Sequence, residues 1–218
     1  MSRAVVFDVD GVLINGYHSN PARVVPWDKD LLADTGVDPD RLRNEFTFDI
    51  FVKKVIIGQM AFTDALEKRL PALGYKGSPM AFARYWLEKD SNLNHPVLDV
   101  VRRLRADEDV RLYIATNQEH LRANWLWSVL KLGDLFDDIF YSARIGVRKP
   151  DPAFYEFVAQ RIGPQSEPPL FFDDSEAVVV GARKAGWEAV LFDTLPDLSG
   201  HPWIAARLAS QHSTPPQS

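Results

Sequence analysis

"VVFDVDGVLI" (residues 5–14) places two aspartates, Asp8 and Asp10, directly after an apolar run that carries no other charge. The stretch has two readings. Asp-Gly is a common turn dipeptide and Gly11 follows Asp10, so the pair can simply open a turn. Alternatively, a strand delivers two carboxylates to a reaction centre, and the rest of the chain has to decide between the two.

Working outward, residues 4–7, 110–115, 170–172 and 189–192 form four short apolar runs rich in β-branched and aromatic residues. Each ends on polar side chains: Asp8, then Thr116 and Asn117, then Asp173 and Asp174, then Asp193. Continuous apolar strands without alternation are what a parallel sheet covered on both faces requires. A fifth short strand is expected at 138–143, leading into Arg148, Lys149 and Pro150. Helical patterns fall at about 96–106, 118–132, 151–162 and 175–185, and this alternation predicts an α/β, doubly wound parallel sheet. In such sheets ligands bind beyond the carboxyl ends of the strands, where all of these polar residues fall.

The interval between the first two strands is too long for one crossover. From about 15 to 92 the patterns are helical, broken at "NPARVVPW", "GVDPD", "LGYKGSP" and "KDSNLN". The expected organisation is a core of residues 1–14 and 92–209, a helical module inserted at 15–91 with joints near 16–20 and 90–94, and a disordered tail at 210–218.

Composition narrows the function. The chain of 218 residues is 46% hydrophobic, enough for a substantial core, and its net charge of -5 argues against a polyanion-binding surface. No nucleic-acid partner is expected, and the basic "RRLR" at 102–105 reads as a solvated helix face. Without cysteine there is no disulfide, thiolate nucleophile or zinc-thiolate site, which is compatible with a reducing, cytoplasmic setting. The N-terminus lacks a secretory apolar segment and no run is long enough to span a membrane, so a soluble, non-exported protein is expected, as monomer or homodimer.

In order along the chain, "FDVDGVL", "IATN", "GVRKPDP" and "FFDDS" followed by "GARKAGW" resemble motifs I to IV of the haloacid-dehalogenase-like hydrolases, in the branch with a small helical cap between the first two motifs. The resemblance implies a Rossmann-like core with the cap at 15–91 and a phosphatase that uses Mg²⁺ and forms an aspartyl phosphate. It makes Asp8 the nucleophile and Asp10 the acid and base. Thr116, Asn117 and Lys149 would hold the phosphoryl group, and Gly11 would let the chain turn without crowding it. The metal would be bound by the Asp8 carboxylate, the Asp10 carbonyl and motif IV, with Asp174 the favoured direct ligand and Asp173 acting through water or as an orienting group. Members that cleave carbon–halogen bonds lack the second aspartate, so Asp10 and the Asp173, Asp174 pair favour phosphate chemistry; a cap of this size admits small phosphorylated metabolites, with sugar phosphates, phosphoglycolate-like acids and nucleoside monophosphates all open and sugar phosphates a weak preference.

Elementary chemistry supports those assignments separately. A carboxylate can attack phosphorus, two-residue spacing on an extended chain turns both carboxyls to one side, and neighbouring anions need a cation with oxygen ligands, which suits Mg²⁺. The plainer alternatives are that Thr116 and Asn117 cap the helix expected from Gln118 and that Lys149 is a surface lysine. His18 and His95 lie near the two joints, so either could line the cleft, with surface positions the favoured expectation. Trp125 and Trp127 read as helix packing. Asn20, Arg23, Arg43, Lys53, Lys54 and Gln59 are candidates to face a cleft, and a helix is expected at 61–70 after Gly58.

One position departs from the family pattern. Motif IV helices usually carry Asn where this chain has Val178, which leaves a catalytically weak binding or regulatory protein as one rival reading; a phosphomutase on the same scaffold is the other.

Overall fold

The computed structural model describes residues 2–210. Five parallel strands, β1 (Arg3–Phe7), β2 (Val110–Thr116), β3 (Asp138–Tyr141), β4 (Leu170–Asp173) and β5 (Glu188–Leu191), form one sheet in the order β3-β2-β1-β4-β5. The first strand is central, and all five of its residues are buried. Its side chains alternate between two hydrophobic layers. Val5 and Phe7 face one layer and Ala4 and Val6 the other, so both faces of the sheet are covered, as the continuous apolar runs required.

The first layer is completed by α5 (His95–Arg105), α6 (His120–Asn124), α10 (Leu195–Ser199) and α11 (Pro202–Ser210). The second is completed by α8 (Pro152–Ile162) and α9 (Glu176–Lys184). Phe172 on β4 stacks on Phe7 at 5.6 Å between ring centroids, which ties two central strands together.

Between β1 and α5 the chain forms α1 (Leu31–Thr35), α2 (Pro39–Leu42), α3 (Phe62–Arg69) and α4 (Pro79–Lys89). These helices enclose a separate apolar cluster in which Phe46, Phe62 and Phe82 are buried and Trp27 stacks on Trp86 at 4.4 Å. The two connections to the sheet run side by side, with Asn15 N donating to Asn92 O at 2.7 Å and Asn94 N to Leu13 O at 2.9 Å. Among the described residues no helix is long and apolar enough to cross a membrane.

Several boundaries differ from expectation, each for a local reason. The helix expected over 118–132 begins at His120, because Glu119 takes the N-cap and its carboxylate accepts from the amides of Leu121 and Arg122 at 2.6 Å each. Thr116 and Asn117 therefore do not cap it. That helix continues as a π-helix over Trp125–Val129, and α2 does so over Arg43–Val55. The strand expected over 138–143 stops at Tyr141, where the short helix α7 (Ser142–Ile145) begins. The last strand is shifted by one residue, starting at the exposed Glu188, because it is an edge strand with one partner. Ser210 closes α11 instead of opening a tail, and the rest of the expected tail lies outside the described residues.

Phe172→Ala removes a fully buried ring that touches Phe7 and is expected to lower the unfolding free energy by about 3–5 kcal/mol, read from the shift in the urea midpoint at unchanged slope.

Candidate active site

Asp8 follows β1 directly, Thr116 ends β2, Asp173 ends β4 and Asp174 follows it. The register sets Phe7 beside Ile114 and Phe172, so these residues share one edge of the sheet at the carboxyl ends of its three central strands. After Asp10 the chain curls: the amides of Val12, Leu13 and Ile14 all donate to Val9 O, and Gly11 takes φ +77°. A Cβ at Gly11 would sit 2.6 Å from Asp174 Oδ2, so the glycine is required both by the backbone and by the approach of that carboxylate.

Lys149 enters this edge from the loop before α8. Asn117 holds it there by the main chain, its Oδ1 accepting from Lys149 N at 2.8 Å and its Nδ2 donating to Lys149 O at 3.0 Å. The ammonium is buried and lies 2.9 Å from Asp8 Oδ1 and 2.7 Å from Asp173 Oδ2, and it also donates to Ala115 O at 2.8 Å. Lys149 is thus an interior ion-pair partner and not a surface lysine. Burial works against its charge, but Asp173 and Asp8 outweigh that and hold its pKa above the ordinary lysine value.

One carboxylate oxygen from each of Asp8, Asp173 and Asp174 lies within 4.8 Å of the others, and all three residues are buried. Burial pushes the Asp8 carboxyl up to about 7, with Lys149 opposing and Asp173 and Asp10 adding to the rise. Asp174 is raised by burial and then by Asp8, and Asp173 by burial. Three buried carboxylates facing one ammonium leave an excess of negative charge, and a donor set made only of oxygen fits a hard divalent cation.

Asp10 sits at the rim, partly exposed, and is held by residues that sequence reasoning did not single out. Arg122 Nη2 donates to Asp10 Oδ1 at 2.8 Å and Nη1 to Oδ2 at 3.1 Å, and Gln118 Nε2 donates to Oδ2 at 2.6 Å. Arg122 also pairs with Asp90 Oδ2 at 3.1 Å. No local signal marked them: Gln118 lies before the first turn of α6, and polar residues on a helix normally face solvent. His18 was expected at the surface but is buried, with Nδ1 3.5 Å from Asp174 Oδ2, while Ser19 N donates to the same oxygen at 2.5 Å. His95 is exposed, as expected.

The other polar candidates lie apart from the carboxylates. Asn20 and Arg23 bond Asp193 beyond β5, Arg43 pairs with Asp28 and Asp40, Lys53 pairs with Asp49, and Lys54 and Gln59 are exposed. Val178 packs its side chain into the second apolar layer while its carbonyl accepts from Tyr155 OH at 2.9 Å.

The model of the haloacid dehalogenase-like hydrolases matches residues 2–186. The chain belongs to this hydrolase family. It is 32% identical to the phosphatase MT3486 of Mycobacterium tuberculosis over 209 residues, covering 87% of each chain. It is 27% identical to the phosphoglycolate phosphatase of Pseudomonas putida, covering 87% of this chain and 69% of that one. Its fold is similar to that of a family enzyme from Bacteroides thetaiotaomicron solved with magnesium and inorganic phosphate, with a TM-score of 0.69 at 19% identity over 87% of this chain and 93% of the other.

A carboxyl raised from 3.8 to about 7 favours folding in its protonated form, so the contribution of Asp8 is full below about pH 4 and is lost as pH rises to about 7. In chelator, melting temperatures are expected to fall between pH 5 and pH 7 more steeply for the wild type than for Asp8→Asn, and added Mg²⁺ is expected to raise the wild-type value most near neutral pH.

Proposed function

We propose that this protein is a Mg²⁺-dependent phosphomonoester hydrolase that works through an aspartyl phosphate on Asp8. The carrying observation is the buried Asp8 carboxylate, paired with Lys149 and grouped with Asp173 and Asp174 at the carboxyl edge of the sheet. The phosphatase and phosphoglycolate phosphatase among its relatives support the same class.

In the first half-reaction an Asp8 oxygen attacks phosphorus as the bond to the leaving oxygen breaks, and Asp10 gives that oxygen its proton. In the second, Asp10 takes a proton from water, whose oxygen attacks the aspartyl phosphate, releasing inorganic phosphate and restoring Asp8. The Thr116 hydroxyl and the Lys149 ammonium bind phosphoryl oxygens as they gain charge. Asn117 contributes its backbone amide, because both ends of its side chain are taken by Lys149. The Asp8 carboxylate, the Asp10 carbonyl and Asp174 would hold Mg²⁺, which would supply positive charge to let a phosphate dianion meet Asp8. Both Asp173 oxygens already accept bonds, from Lys149 Nζ and from Ser175 N at 2.9 Å, which favours Asp174 as the direct ligand.

The helical residues 15–91 act in this reading as a cap over a core of residues 1–14 and 92–209, shielding the reaction from water and selecting a small phosphorylated metabolite such as a sugar phosphate or phosphoglycolate-like acid. Val178 does not argue against activity, since the motif IV carboxylates are held by Lys149, Ser175 and Ser19 without it.

Phosphate release from a panel of small esters tests the proposal. Release is expected with Mg²⁺ and none with chelator. Asp8→Asn should abolish turnover, and Asp10→Asn should slow alkyl phosphates by about 10²–10⁴-fold. A wild type that releases phosphate from no ester, or an Asp8→Asn variant at full rate, rules the mechanism out.

A further inference from the structure

Arg122 touches neither the metal-ligand carboxylates nor any residue assigned to the phosphoryl group, yet it is 8% exposed and carries the densest set of polar contacts at the rim of the site. Its fork meets both oxygens of Asp10, and Gln118 braces one of them while its own Oε1 accepts from Arg122 Nη1 at 3.4 Å. The nitrogen that meets Asp10 Oδ1 is shared with a different part of the chain. Nη2 donates to Asp90 O at 3.2 Å and pairs with Asp90 Oδ2 at 3.1 Å.

Asp90 is the residue that ends α4 and starts the second connection between the helical segment and the sheet. It is itself 7% exposed, and it also meets the first connection: a Cβ at Gly16 would lie 2.8 Å from Asp90 Oδ1. One residue on, Ser91 Oγ accepts from Trp125 Nε1 at 2.9 Å, so the helix that carries Arg122 grips this connection at two points. The backbone under Arg122 is fixed as well, because Glu119 caps the turn that presents it. A planar, five-donor guanidinium suits this double duty, and a point charge would not.

We propose that Arg122 is a positioning residue that ties the orientation of the Asp10 carboxyl to the seating of the 90–94 connection. Arg122 and Gln118 fix the plane of the carboxyl, and Asp90 anchors Arg122 from the cap side. Asp10 is then aligned with the leaving oxygen when the helical segment is seated on the sheet, and loses that alignment when the connection shifts. This rests on the reading that Asp10 hands a proton to the leaving group.

The distinguishing measurement is the dependence of kcat/KM on the leaving group, since this ratio reports the step in which the phosphate ester bond breaks. Nitrophenolate departs without a proton, whereas an alkoxide needs one. For Arg122→Gln, kcat/KM on an alkyl phosphate is expected to fall about 100-fold, and on 4-nitrophenyl phosphate by no more than about threefold. Asp90→Asn, which touches neither Asp10 nor substrate, should show the same selectivity at about tenfold on the alkyl ester. It serves as the deciding variant if Arg122→Gln does not fold by circular dichroism. Equal losses on both esters would mark a purely structural role and overturn the inference, as would no loss on either. A wild type inactive on both esters overturns the phosphatase reading along with it. Wild-type activity combined with an unchanged ratio in the variants overturns this inference alone.

Discussion

The contact of the Lys149 ammonium with Asp8 and Asp173 is the constraint on which the rest of the site depends. Parallel strands end together, so acidic residues placed after β1 and β4 are forced side by side, and here Asp8, Asp173 and Asp174 are buried. Without an interior cation the folded state would hold uncompensated charges, and breaking such a buried pair by removing one partner typically costs about 3–5 kcal/mol. Lys149 therefore has a structural duty before any chemistry begins. The same pair keeps positive charge where a phosphate group would arrive. Stability and function make one demand here, and Asn117 meets it by clamping the lysine's main chain from the neighbouring strand end.

Around that pair the strands were legible in the sequence, because a doubly covered parallel sheet writes itself as unbroken apolar runs closed by polar residues. Asp8, Thr116, Lys149, Asp173 and Asp174 could be named for the same reason, since each sits at a strand end or in the loop that returns to one. Edges and helix ends were less legible. The strand β5 has a neighbour on one side only, so its start at the exposed Glu188 carries no apolar mark. The start of α6 depends on which of several polar residues reaches a free amide, and Glu119 takes the cap through its own carboxylate rather than leaving it to Thr116 or Asn117. Neither π-helical stretch has a compositional signature.

Arg122, Gln118, Asp90, His18 and Ser19 went unmarked for a different reason. Polar residues on helices and joints normally face solvent, and nothing local distinguishes one that turns inward to meet a partner far along the chain. The Arg122–Asp10 contact spans 112 residues and the Ser19–Asp174 contact 155. Long-range pairs of this kind become visible only when the fold has brought their elements together. Ser19 could not have been found even by periodicity, because its contribution is a main-chain amide and any residue but proline would offer it.

These unmarked contacts have a common location. Ser19 reaches Asp174, Asn20 and Arg23 reach Asp193, and Arg122 reaches Asp90; each joins a connection of the helical segment to a carboxyl edge of the sheet. The segment has an apolar cluster of its own, apart from the two layers on the sheet. What they determine is where it sits. Because Asp174 and Asp10 are shared between seating the segment and the proposed chemistry, the segment cannot move without changing the hydrogen bonds on both carboxylates. A swing of the connections would free an Asp174 oxygen from Ser19 and loosen the guanidinium that braces Asp10. Opening would thus alter the proposed metal-ligand set and the proposed proton donor in one motion, which in that reading assembles the chemistry only when the segment is seated.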